Sequence, residues 1–173
     1  MSEVIVKQAT INDLEKTFEI VNEASLWPKE KYGFTHWLYW YTLEVVKQNF
    51  DHKTVYLLYE DSIPVATYTM SIKPPSYYTD KELSYFNDPK TEAYYLTTLC
   101  VKPTHQGKGY AKMLIKHLEG LSKEKNIEYV RFDAREDYTE LINFYKKQGY
   151  QIVGKVEDDS GDDNYVLFEK KIL

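Results

Sequence analysis

Six residues between a β-rich run and a helical pattern, Gln106, Gly107, Lys108, Gly109, Tyr110 and Ala111, have the types and spacing to hold an anion. A strand that ends in glycines at a helix start gathers unpaired backbone N–H groups at the positive end of a helix dipole, which suits a phosphate. Two familiar phosphate loops fail against these letters. A Walker loop needs Lys directly after its second glycine, and Tyr110 follows Gly109 here. A dinucleotide fingerprint needs Gly or Ala three positions beyond Gly109, where Lys112 stands. A plain tight β-to-α turn shares the same letters, so the loop alone leaves both readings open.

The elements that would position this loop are legible in outline. Val4 and Val6 alternate with polar neighbours as in a strand, and Thr10 or Asn12 can cap a helix marked by Leu14, Phe18 and Val21, which Trp27, Pro28 and Gly33 interrupt. A second helix is predicted over Phe34, Trp37, Leu38, Tyr41, Val45 and Val46, its aromatic stripe forming core or groove wall. "TVYLLYEDSIPVATYTMSI" reads as a hairpin turning at Asp61 and Ser62. Residues 73–92, punctuated by Pro74, Pro75 and Pro89 yet rich in Tyr77, Tyr78, Tyr85 and Phe86, read as an ordered loop or short helix. "AYYLTTLCV" then runs into the glycine loop. Ala111, Leu114, Ile115, Leu118 and Leu121 mark one face of the following helix, and "YVRFDA" reads as a strand. Asp137 and Glu140 have capping-box spacing for a helix with Leu141, Phe144 and Tyr145 inward and Gly149 as its left-handed stop. Two last β-runs flank the acidic turn "EDDSGDD". This order implies a mixed sheet covered by helices.

With 173 residues, 43% of them apolar, the chain is expected to form one domain, residues 1–173. No run approaches the ~20 apolar residues that span a bilayer, so a cytoplasmic protein is expected. Cys100 is the lone cysteine, which rules out an intrachain disulfide and a cysteine-based zinc cluster. His36, His52, His105 and His117 lack a metal-binding spacing, so no metal is implied. The net charge of −5 argues against a nucleic-acid binder, which needs a basic stripe. A cationic or neutral partner is easier to accommodate. The 17 tyrosines line pockets and interfaces as readily as they fill cores, which points to a recognition surface.

Gln106, two residues, Gly109, one residue, Ala111, preceded by "LCVKP", resembles the acyl-CoA pyrophosphate loop of the GNAT superfamily of N-acyltransferases. "NFYKKQGY", from residue 143 to 150, looks like that family's later helix, and one helix and one strand between the two motifs match its spacing. The resemblance implies an α/β (α+β) fold with a mixed, mostly antiparallel sheet of about seven strands and helices on both faces. It implies that Gln106, Gly107, Lys108, Gly109, Tyr110 and Ala111 cradle the pyrophosphate of acetyl-CoA, the cosubstrate. Leu99, Cys100 and Val101 would pair through their backbone with the pantetheine arm, and a backbone amide there would hold the developing oxyanion. Asn143 would contact the CoA arm. Tyr145 would protonate the departing thiolate, a role open to a phenol of pKa about 10, whereas a helix tyrosine buried against the sheet is the bland alternative.

The expected reaction is direct acetyl transfer to a small-molecule primary amine. Alternatives are a protein or peptide amine as acceptor, and a non-catalytic acyl-CoA sensor. A nucleotide-binding regulatory domain is disfavoured by the failed fingerprints. No carboxylate stands between Tyr94 and Val101, where family members often place one, and Thr97 and Thr98 can only position a water. Glu92 and Asp133 read as ordinary strand-end charges. Cys100 as an acyl-enzyme nucleophile ranks well below packing. The tyrosines and tryptophans of "LWPKEKYGF" and residues 73–92 suit boxing a small amine, and the acidic turn suits attracting a cationic one. Edge pairing of the final strands makes a homodimer possible.

Overall fold

Residues 2–157 and 164–173 are described by the computed structural model. In chain order they form β1 (Val4–Gln8), α1 (Leu14–Tyr32), α2 (His36–Trp40), α3 (Leu43–His52), β2 (Thr54–Glu60), β3 (Ile63–Ser71), α4 (Asp80–Ser84), β4 (Ala93–Val101), α5 (Tyr110–Glu124), β5 (Tyr129–Arg135), α6 (Thr139–Lys147), β6 (Gln151–Glu157) and β7 (Asn164–Lys171). The seven strands make one mixed sheet in the order β1-β2-β3-β4-β5-β7-β6. β4 and β5 run parallel, while β1–β2, β2–β3, β5–β7 and β6–β7 are antiparallel. Contacts group the chain into two units, Met1–Met70 with Thr98–His117, and Ser71–Thr97 with Leu118–Leu173. β4 and α5 each pass from one unit to the other. Among the described residues no helix is long and apolar enough to cross a membrane.

In the first unit Asp61 (φ 49°) and Ser62 (φ 69°) both take left-handed backbone, the turn whose twist suits a two-residue hairpin between β2 and β3. Ile20, Val21 and Ala24 of α1 pack on Leu57 of β2 and Cys100 of β4, with Trp37 and Tyr41 closing over them. α1 does not stop at Pro28. It runs on to Tyr32 and ends at Gly33 (φ 74°), whose N–H donates to the Lys29 carbonyl. The single helix predicted from Phe34 to Val46 is two helices. Tyr41 leaves helical geometry (ψ 73°), and the Thr42 hydroxyl accepts from Val45 N–H at 3.3 Å, which caps and restarts the chain as α3.

In the second unit β5 separates two packed faces, as strand alternation requires. Phe132 lies with Phe168, Tyr145 and Tyr150 on one face, their rings 4.4–5.2 Å from it. The opposite face carries Tyr129, Arg131 and Asp133. Arg131 is fully buried. Its Nε donates to Glu169 at 2.8 Å, and its Nη2 to the carbonyls of Asn87 and Asp88 at 2.7 and 3.0 Å. Phe86 and Tyr129 sandwich its guanidinium at 4.9 and 4.8 Å. The pair thereby fastens residues 86–88 to the sheet. Within that same insert, α4 is opened by a capping box in which Thr79 and Glu82 bond reciprocally.

The predicted box at Asp137 and Glu140 does not form. Asp137 instead takes a two-pronged bond from Arg135, Nε at 2.6 Å and Nη2 at 3.0 Å, and Tyr138 occupies the cap position without a side-chain bond. α6 buries Ile142 and Tyr145, leaving Leu141 and Phe144 half-buried. Gly149 (φ 87°) is the left-handed stop that was expected. The tip of the acidic turn, with Asp158, Asp159, Asp162 and Asp163, lies outside the described residues.

Candidate functional site

The glycine loop lies wholly in the first unit. β4 ends at Val101, and the Lys102 N–H donates to the Val65 carbonyl at 2.8 Å, fixing the strand end on β3. Pro103 opens a single 3-10 turn, Pro103–His105, Gln106 is extended, and α5 begins at Tyr110. Gly107 (φ 79°) and Gly109 (φ 84°) are both left-handed, with Lys108 between them outside that region. Alternating hand along the backbone turns successive N–H groups toward one concave side. The first N–H groups of α5, which by helix geometry have no acceptor within the helix, extend the same array. No atom lies within 4 Å of a Cβ built on either glycine. Backbone hand, and not crowding, is what demands glycine here.

Glu60, at the end of β2, ties down the side chains of this loop. Both its oxygens accept from Lys108 Nζ at 3.0 Å, and His105 Nε2 lies 3.5 Å away. The Tyr110 hydroxyl donates to it as well, and this bond, followed by Lys108, holds the Glu60 carboxyl below its usual range. The same bond, with burial second, pushes Tyr110 up to about 12. Sequence reading passed over Glu60, because nothing in its neighbourhood signals a partner nearly fifty residues later. His105 also shares a 2.8 Å bond with the Thr104 hydroxyl.

Of the three strand residues assigned to the pantetheine arm, Cys100 and Val101 are buried and Leu99 is half-buried. Cys100 sits in the apolar core of the first unit, and burial pushes its thiol well above the ordinary value. Such a thiol is packing, since the thiolate is the nucleophilic form. The Thr98 hydroxyl donates to Tyr41 Oη at 3.0 Å.

Asn143 and Tyr145 belong to the second unit. Asn143 is exposed on α6, while Tyr145 is 5% exposed, its ring 4.4 Å from Phe132 and 5.5 Å from Phe168. Two positions apart on a helix, they point about 200° apart. Asp133 is not a strand-end charge. It lies inside β5, and its Oδ1 accepts from Tyr77 Oη at 2.8 Å and Tyr78 Oη at 2.6 Å. Burial raises its carboxyl, with the two tyrosine bonds acting in the other direction.

A sequence model of the acetyltransferase (GNAT) family matches residues 14–150. The chain belongs to the GNAT family. It is an acetyl-CoA-dependent acyltransferase, and the glycine loop, β5 and α6 all fall within the matched stretch. Solved structures share this GNAT fold across nearly their whole length. The PaiA N-acetyltransferase from Thermoplasma acidophilum, crystallised with coenzyme A, superposes with a TM-score of 0.73 at 20% identity, over 98% of this chain and 99% of that one. A GNAT acetyltransferase from Listeria monocytogenes gives 0.74 at 22% identity over 97% and 94%. The ribosomal-protein-S18-alanine N-acetyltransferase of Escherichia coli gives 0.71 at 12% identity over 98% and 94%. At such identities the likeness establishes the fold. No curated relative matches the chain.

Proposed function

We propose that residues 1–173 act as one catalytic domain that transfers the acetyl group of acetyl-CoA to the primary amine of a small molecule. The observation that carries this reading is the left-handed pair Gly107 and Gly109 feeding the start of α5 in a chain of this family. Gln106, Gly107, Lys108, Gly109, Tyr110 and Ala111 bind the pyrophosphate through backbone N–H groups, the fit being that of an amide-lined concavity for a dianion. The coenzyme A held by the PaiA enzyme supports acetyl-CoA as cosubstrate. Leu99, Cys100 and Val101 offer backbone to the pantetheine arm, an amide there carries the oxyanion of the tetrahedral intermediate, and Asn143 contacts the arm. The amine nitrogen forms a bond to the thioester carbonyl carbon, the C–S bond breaks, and Tyr145 delivers a proton to the thiolate and regains one from the nitrogen. A net charge of −5 favours a cationic acceptor.

A protein or peptide amine is the second reading, favoured by the likeness to the S18-alanine enzyme. Melting with and without excess acetyl-CoA, then thiol release over small amines and an alanine-ended peptide, tests both readings. A saturating ligand adds about 2.7 kcal/mol at a hundred times its Kd. No shift with acetyl-CoA overturns the proposal, a shift without turnover of any amine makes the protein an acyl-CoA sensor, and turnover of the peptide alone exchanges the acceptor class.

A further inference from the structure

We propose that Asp133, presented by Tyr77 and Tyr78, is the acceptor site of this enzyme, its Oδ2 taking both the hydrogen bond and the proton of an alkylammonium group. The inference rests on the acetyl-transfer reading above and names the residue that the strand leading to the loop does not supply.

The argument begins with how the charges on one face of β5 are used. Arg131 is spent on Glu169 and on backbone carbonyls, and Arg135 is spent on Asp137. Among the described residues no Lys, Arg or His pairs with Asp133. Its two side-chain donors are neutral phenols, and both end on Oδ1, while its own backbone N–H also donates to the carboxylate. No other side chain among the described residues donates to Oδ2. A carboxylate held in place by neutral donors, half-buried and without a counter-cation among the described residues, matches a ligand that brings the cation with it.

The phenols come from the insert between β3 and β4. Tyr78 is buried, its ring 6.1 Å from Phe86 and 6.3 Å from Tyr95, so it is a fixed support. Tyr77 stands edge-on to it at 5.2 Å and is 45% exposed, an aromatic wall beside the open oxygen. Aromatic faces beside a carboxylate suit an alkyl chain that ends in ammonium.

Position on the strand suits the chemistry too. Asp133 lies two residues beyond the last β4–β5 pair, Tyr95 with Arg131. Phe132, next to it, faces the other way and packs on Tyr145. Proton acceptor and proton donor thus occupy opposite faces of β5. The raised carboxyl makes Asp133 a stronger base than a surface aspartate. The ammonium passes one proton to Oδ2, and the freed lone pair forms the C–N bond. As the C–S bond breaks Tyr145 protonates the thiolate, the second nitrogen proton restores the phenol, and Asp133 returns its proton to solvent.

The test compares Asp133→Asn and Tyr77→Phe with the native protein, using 1,4-diaminobutane, spermidine and an alanine-ended peptide as acceptors. Asp133→Asn keeps the Oδ1 contacts and removes the charge. It should retain the acetyl-CoA melting shift while kcat/KM for the best amine falls about 100-fold or more. Tyr77→Phe, at an exposed ring, should raise the acceptor KM several-fold and leave the acetyl-CoA KM unchanged. The proposal is overturned if Asp133→Asn stays within threefold of native, or, should that variant fail to fold, if Tyr77→Phe leaves the acceptor KM unchanged. Loss of the acetyl-CoA shift in the native protein would instead overturn the acetyl-transfer reading itself.

Discussion

Gly109→Ala gives a sign that discriminates between conformations as well as a magnitude. Gly109 has φ 84°, and a Cβ placed on it touches nothing within 4 Å, so the cost of alanine is backbone strain alone. Left-handed backbone costs an L-residue about 1–2 kcal/mol. Stiffening the unfolded chain returns about 0.4–1 kcal/mol. The net loss is near 1 kcal/mol, and with a melting entropy of about 0.36 kcal/mol/K for 173 residues the Tm should fall by about 3 °C. Were φ negative, the same substitution would raise the Tm by about 1–3 °C. The second readout is the ligand shift. Acetyl-CoA at a hundred times its Kd should raise the native Tm by about 7 °C, and rotating the amides at Gly109 should remove more than half of that shift. Scanning calorimetry with and without acetyl-CoA measures both. A rise in the Tm of the free variant refutes the left-handed assignment, and an undiminished acetyl-CoA shift refutes the loop as the pyrophosphate site.

Three further outcomes are expected. Tyr145→Phe should keep the acetyl-CoA shift and slow thiol release about 100-fold, and unchanged turnover would remove Tyr145 from the mechanism. Glu169→Gln leaves the guanidinium of Arg131 buried without its counter-charge, which should cost about 3–5 kcal/mol and lower the Tm by about 8–14 °C; a drop under 2 °C would contradict the buried pair. Glu60, held below its ordinary value of 4.5 in the folded chain, contributes stability that is present above that pH and lost as pH falls through the folded value. Native protein should therefore melt above Glu60→Gln at pH 7, and the two curves should converge on acidification; a constant gap from pH 7 to 3 would show that the carboxylate contacts do not stabilise the loop.

What could be read from the letters was whatever is encoded locally. The hairpin at Asp61 and Ser62, the stop at Gly149 and the turn from β4 into α5 each follow from a few adjacent residues. Three of the misreadings come from a competing signal within a few residues, and the fourth from a partner far along the chain. Asp137 had the spacing of a cap, but Arg135 offers it two charged donors. Hydrophobic spacing ran unbroken from Phe34 to Val46, yet the Thr42 hydroxyl restarts the helix there. Pro28 looked like a stop, and α1 carries it because termination belongs to Gly33. Asp133 looked ordinary because the phenols that single it out come from more than fifty residues earlier.

The placing of β7 between β5 and β6 also governs the order in which the chain can mature during synthesis. β5 pairs with β7 over seven positions, from Tyr129 with Lys171 to Arg135 with Tyr165. β6 takes β7 as its partner in the same sheet. Both strands leave the ribosome before β7 exists, with the β5 backbone edge from Tyr129 to Arg135 unpaired on that side and Phe132 still lacking Phe168. The first unit has its last segment by His117. The second must wait for residues 164–171, and until then β5 is an open edge of the kind that recruits other chains. A premature stop anywhere before Asn164 would therefore yield an aggregating fragment and not a smaller folded enzyme.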